Sequence, residues 1–183
     1  MIHRGLSRTA IMLLILGYLG PLSAQSTAPA HQSRNEVTVA ELIATDLDGK
    51  PFDVETLADK VVLLDFWATW CAPCLEAFPP LKEMRTELGS DDFEIVSVTL
   101  YSGLPEDIQW VMDKYKPDHP VLLGGPQIPV TFGIIGFPTY LLMGKDGKLV
   151  RRYVGDFNDP LGRALADARA LVNDEPLAEA AKP

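Results

Sequence analysis

Cysteine and histidine are scarce in this chain, with two and three among 183 residues. Two cysteines allow one disulfide at most, so no multi-bridge framework holds the fold together. His3, His31 and His119 are scattered and show no spacing suited to metal ligands. The usual complement of four zinc ligands is therefore missing, and no metal or other cofactor is expected. Basic charge is also short: 16 Lys+Arg against 25 Asp+Glu give a formal net charge of -9. No basic stripe offers counterion release to nucleic acid, and an anionic membrane surface would repel the chain. Apolar runs stay well below the roughly 20 residues that a spanning helix needs. With 47% hydrophobic and 22% charged residues, the composition is that of one globular domain with a sizeable core.

The N-terminus has the layout of a targeting signal. His3, Arg4 and Arg8 precede an apolar run from Ile11 to Leu19, then Gly20 and Pro21. Residues 1–24 read as a signal peptide, cleaved near Ala24 or Ala28. If it is not cleaved, the same segment would act as a membrane anchor. Polar residues 25–36 read as a disordered linker, 37–172 as the folded domain, and 173–183 as a C-terminal tail.

Within the domain, Asp48-Gly49 marks a hairpin turn between Leu42–Ala44 and Pro51–Val54. Val61–Phe66 is continuously apolar except for Asp65, the pattern of a central strand buried on both faces. Leu75, Phe78, Leu81, Met84 and Leu88 then follow helical spacing up to Gly89. Phe93–Leu100 predicts a strand, and Pro105 opens a helix carrying Ile108, Val111, Met112 and Tyr115. Val121–Leu123 is a short strand candidate. Thr139–Met143 and Leu149–Val154 flank the turn Lys145-Asp146-Gly147, and Asp159-Pro160 caps a last helix buried through Leu161, Leu165, Ala168 and Val172. Strands alternating with helices and ending in a hairpin predict an α/β domain of three layers around a mixed central sheet.

Both cysteines fall in Trp67-Ala-Thr-Trp-Cys-Ala-Pro-Cys74. A structural bridge this short would restrain the unfolded chain very little. A dithiol that changes oxidation state suits the spacing better. Cys71 falls where a strand gives way to a helix, and helix N-termini lower thiol pKa values. Cys74, one turn on, can reach the same sulfur, while Pro73 removes one N–H between them. An acid inside a buried strand should have a raised pKa, so Asp65 is a candidate proton acceptor for Cys74. The alternative for Asp65 is a carboxylate at a partly solvated strand end.

The segment from Val62 to Cys74 resembles the active-site segment of thioredoxins. Pro79 falls at that family's helix-kinking proline, with Pro80 reinforcing it. Gly136-Phe-Pro-Thr-Tyr140 is similar to its cis-proline loop, and Gly155 to the glycine after the final hairpin. The long stretch from Gly103 to Phe132, the N-terminal hairpin and the Trp67-Ala-Thr-Trp70 spelling resemble the TlpA/ResA-like branch. The resemblance implies a thioredoxin-like three-layer fold with a βα insertion before the cis-Pro loop. It implies Cys71 as nucleophile, Cys74 as resolving thiol, and a redox-active Cys71–Cys74 disulfide. Pro138 would be the cis proline, with Phe137 and Thr139 flanking the substrate groove and Trp70 covering its rim. One departure stands out: that branch usually has Glu three residues after the second cysteine, whereas here Ala77 holds the position and Glu76 precedes it. A one-residue shift turns a helical side chain by about 100°, so Glu76 is expected to face solvent.

The implied function is an extracytoplasmic, periplasmic thiol–disulfide oxidoreductase that reduces protein disulfides. Partners implied by the branch are apocytochrome c or copper-site proteins, with a membrane thiol reductase as electron donor. The competing readings are an oxidase or isomerase of the same fold, a peroxiredoxin-type peroxidase, and a copper-binding carrier. A peroxidatic site needs Pro and Thr upstream of its cysteine; Thr69 is present, but no proline lies nearby.

Overall fold

The computed structural model describes residues 37–155 and 159–178. The signal and linker expectations for residues 1–36, and the last five residues of the tail, lie outside them. Among the described residues, six strands and four α-helices follow in the order β1 (Ala44–Thr45), β2 (Val61–Trp67), α1 (Ala72–Leu88), β3 (Phe93–Thr99), α2 (Pro105–Tyr115), β4 (Val121–Gly124), α3 (Ile128–Thr131), β5 (Thr139–Met143), β6 (Leu149–Val154) and α4 (Pro160–Val172). They build one mixed sheet in the order β1-β4-β3-β2-β5-β6. β2, β3 and β4 run parallel, and β1, β5 and β6 are antiparallel to their neighbours. This is the thioredoxin-like α/β fold.

The central strands β2 and β3 are buried at every residue, as continuous apolar runs require when both sheet faces are covered. Side chains alternate between the faces. Val62, Leu64 and Phe66 pack with Val96, Val98, Leu141 and Met143 on one side. Val61 and Leu63 pack on the other, against Leu81 and Met84 of α1 and Ala164 and Ala168 of α4. Asp65 has the parity of Leu63 and Trp67, so its carboxyl lies on the face that α1 covers.

The N-terminal hairpin is short. Asp46 N–H donates to Lys50 O, but the second strand expected at Pro51–Val54 is reduced to a bridge between Thr45 and Pro51, and a 3-10 helix follows over Val54–Leu57. The Asp53 side chain accepts from Glu55 N–H and caps that turn. β1 instead takes its strand partner from β4. Trp110 of α2 is 54% exposed, with Lys114 Nζ 4.6 Å above its ring. The buried face of α4 is also rotated from the predicted one, because it includes Asp167. Arg151 Nη1 (2.6 Å) and the Tyr153 hydroxyl (2.5 Å) donate to that carboxylate, which is why an acid is tolerated there. Among the described residues no helix is long and apolar enough to cross a membrane.

Candidate active site at the start of helix α1

Cys71 is the N-cap of α1 and Cys74 lies one turn inside, joined to it by a disulfide with S–S 2.05 Å and Cα–Cα 5.3 Å. Strand β2 ends at Trp67, and Cys71 N–H donates to Ala68 O in the turn that follows. The first N–H groups of a helix lack intrahelical partners. Pro73 supplies no N–H, so Ala72 and Cys74 carry the first-turn donors nearest the cap, and none of them bonds the Cys71 side chain in the disulfide form. No acid stands in the first turn, so nothing opposes a negative sulfur there. Glu76 is exposed, whereas Ala77 is buried against the sheet.

Pro79 and Pro80 both lie within α1 on its exposed side. They cannot donate to the carbonyls of Leu75 and Glu76, so two helical hydrogen bonds are missing there.

The mouth of the site is aromatic. Trp70 is 65% exposed, and its Nε1–H donates to Tyr101 O at 2.9 Å. Phe137 meets Trp70 edge to face and lies 6.4 Å from the Tyr101 ring. The Phe137–Pro138 peptide bond is cis. Two bonds fix this loop: Thr139 Oγ1 donates to Gly136 O (2.7 Å), and Gly155 N–H donates to Pro138 O (2.9 Å). Gly155 has φ +81°, a conformation that favours glycine. The structure thus brings Cys71, Cys74, Pro73, Trp70, Phe137, Pro138 and Thr139 into one region.

Asp65 lies in the sheet below that region and is 1% exposed. It pairs with Ser97 of β3 on one side and Tyr140 of β5 on the other. Its Oδ2 accepts from the Ser97 hydroxyl at 2.8 Å, and Oδ1 has no hydrogen-bond partner among the described residues. Burial pushes the carboxyl up to about 7, partly offset by the Ser97 hydrogen bond. A carboxyl half-protonated near neutrality can take or give a proton. Burial, and then the charge of Asp65, raise the Tyr140 phenol.

Sequence reasoning did not single out Ser97 and gave His119 no role, yet both join this acid. Ser97 Oγ is 2.9 Å from His119 Nε2. The signal was present: a buried carboxyl needs a donor, and Ser97 is a polar residue inside the apolar run Phe93–Leu100.

A parallel-centred mixed sheet with a Cys-x-x-Cys disulfide at the N-cap of the helix after a central strand defines a thioredoxin-type dithiol–disulfide protein. The Redoxin family model matches residues 24–172. The chain belongs to the Redoxin family. The thiol–disulfide oxidoreductase ResA of Bacillus thuringiensis (strain Al Hakam) is 29% identical over 156 residues, covering 84% of this chain and 90% of that protein. The solved structure of a thiol:disulfide interchange protein DsbE from Chlorobium tepidum is 25% identical with TM-score 0.62, covering 72% of this chain and 97% of that one. A Sinorhizobium meliloti protein, SMc02350, shares the fold with TM-score 0.68 at 16% identity, covering 79% and 87%. The chain is a TlpA/ResA-like thiol–disulfide oxidoreductase.

Proposed function

We propose that this protein works outside the cytoplasm, in the periplasm, as a reductant of disulfides in partner proteins. The observation that carries this reading is Cys71 at the N-cap of α1, bonded to a more deeply buried Cys74. In the reduced protein, the Cys71 thiolate attacks one sulfur of a substrate disulfide. A mixed disulfide forms, and the first substrate thiolate leaves. Asp65, acting through water, takes the proton of Cys74. The Cys74 thiolate then attacks Cys71, closes the internal disulfide and releases the second substrate thiolate. Two electrons pass to the substrate, and the dithiol ends as the disulfide seen here.

Trp70 and Phe137 would line the groove, with Pro138 setting the loop that faces the sulfurs and Pro73 tuning them; Thr139, expected beside the groove, is fully buried and instead holds that loop through its bond to Gly136 O. Residues 1–24 support export, whether the segment is cleaved as a signal or kept as an anchor. Continued turnover requires re-reduction, for which a membrane thiol reductase is the fitting donor. Substrates in cytochrome c or copper-site maturation suit such a reductant, because their cysteines must be reduced before haem or metal is attached. The test is the reduction potential of the Cys71–Cys74 pair against a glutathione or dithiothreitol series. A value near -270 mV, about that of thioredoxin, supports a reductant; one near -120 mV, about that of a strong periplasmic oxidant, overturns that direction.

A further inference from the structure

We propose that Ser97 and His119 form a proton relay connecting the buried Asp65 carboxyl to the surface at Asp118, away from the mouth of the dithiol site. The proposal rests on the dithiol reading above.

Hydrogen bonds run without a break from Asp65 through Ser97 to His119. Ser97 Oγ donates to Asp65 Oδ2 at 2.8 Å and lies 2.9 Å from His119 Nε2. The same loop holds Ser97 through its backbone, since Ser97 N–H donates to Pro120 O at 3.0 Å. The His119 side chain is fully buried and lies between two prolines, Pro117 and Pro120, with Phe78 stacked on its ring at 11°. Its outer nitrogen, Nδ1, is 3.7 Å from Asp118 Oδ1, too long for a hydrogen bond. Nδ1 is itself buried with no hydrogen-bond partner among the described residues, and the Asp118 side chain beyond it is 35% exposed, so a proton leaves or enters across this one unbonded gap.

Proton counting shows what this arrangement permits. Ser97 has one hydroxyl proton. With Asp65 ionised, that proton goes to Oδ2, and His119 must carry its own on Nε2, leaving Nδ1 with a lone pair. A proton arriving at Nδ1 from the Asp118 side lets the Nε2 proton pass to Ser97 Oγ. The serine proton then passes to Asp65. The carboxyl is now neutral and donates to Ser97, Ser97 donates to Nε2, and His119 carries its proton on Nδ1. One proton has entered and one has been bound, with His119 neutral at both ends. The reverse sequence discharges a proton taken from Cys74.

The surroundings keep His119 neutral. Burial pushes its imidazole down to about 4, against the opposing charges of Asp118 and Glu94 and alongside that of Arg85. Asp65 faces Ser97 from β3 and Tyr140 from β5. The exit also points away from the substrate. Asp118 lies 3.9 Å from Arg85, in the last turn of α1, whereas Cys71 caps the first. Those two positions are about 20 Å apart along the helix axis. A partner seated over Trp70 and Phe137 would close the cleft to water and leave this route open.

The experiment uses the reduced full chain, mixed rapidly with oxidised glutathione or a disulfide-bonded peptide at several pH values. Acid quench then gives the rate of Cys71–Cys74 closure. Ser97→Ala and His119→Gln should each slow closure about tenfold near pH 7, short of the 10²–10⁴ carried by direct acid–base groups. Ser97→Thr, which keeps the hydroxyl, should stay within about twofold of wild type, since proton transfer through oxygen is preserved. Glutamine can donate to Ser97 but cannot exchange a proton between two ring nitrogens, so it separates relay from positioning. Wild-type closure rates in His119→Gln or in Ser97→Ala would overturn the relay alone. A wild-type protein inert toward both disulfides would overturn the dithiol reading itself. If His119→Gln fails to fold, Ser97→Ala, smaller by one oxygen, decides the matter.

Discussion

Trp70 and Phe137 meet edge to face across the mouth of the dithiol, ring centroids 5.6 Å apart with planes at 74°. One ring comes from the turn before α1 and the other from the loop before β5, so the contact ties together the two segments that flank the sulfurs. Its exposure leaves apolar surface for a partner. Trp70→Ala should weaken exchange with a protein disulfide about tenfold, on the scale of a lost aromatic anchor. Exchange with glutathione, too small to span both rings, should change little. Rates measured with the two substrates side by side check this.

The unequal burial of the cysteines predicts their roles. Cys71 is 5% exposed and Cys74 is 1% exposed. Cys71→Ser should abolish exchange, because the attacking thiolate is lost. Cys74→Ser should trap a mixed disulfide on Cys71, visible by mass spectrometry of the intact protein. Alkylation of the reduced wild type that labels Cys74 first would reverse the assignment.

Asp65 has a folded pKa raised from 3.8 to about 7 by burial. A raised acid favours the folded state most when protonated. Its contribution is therefore complete below the unfolded pKa and is lost as pH rises through the folded one. Asp65→Asn removes this dependence. The variant should gain on wild type between about pH 4 and 7, by at most about 1.4 kcal/mol per pH unit. Denaturant titrations at pH 5 and 8 measure the gap. Exchange should slow at neutral pH with the fold intact; an unchanged rate would return Asp65 to a structural role.

Asp167 is 6% exposed and holds Arg151 and Tyr153 of β6 against α4. Asp167→Ala would leave the phenol without its acceptor and the guanidinium with Ala178 O alone of its two. Because the Arg151 side chain is 26% exposed and can turn toward water, the cost should be about 2–3 kcal/mol, below that of breaking a fully buried pair. A lower denaturant midpoint with an unchanged slope would show this.

Much of the architecture was legible because local chemistry and tertiary demand agree. Val61–Phe66 is apolar but for Asp65 because β2 is covered on both faces. Asp159-Pro160 reads as a helix start, and the Asp159 side chain does accept from Gly162 N–H. The cysteine spacing was equally readable, since both thiols belong to one helical turn. The partners of Asp65 were not. Ser97 is 32 residues away, and only the β2–β3 register sets them side by side. His119 enters through a loop whose position depends on α2 and β4 together. Asp167 was missed for a similar reason: helical spacing marks which face is apolar, but a buried acid is made tolerable by residues on another element.

The buried pair Asp65 and His119 also makes folding an internal acid–base exchange. Between about pH 4 and 6.5, an unfolded chain would hold Asp65 as the anion and His119 as the cation. The folded one holds a neutral acid and a neutral imidazole. Stability falls with rising pH on account of Asp65 and rises on account of His119, whose depressed imidazole is penalised as acid charges its unfolded form. Over that interval the two slopes oppose each other, and folding takes up no net proton at these sites. The interior thus loses both charges while the molecule's total charge is unchanged, leaving this core insensitive to mild acidification.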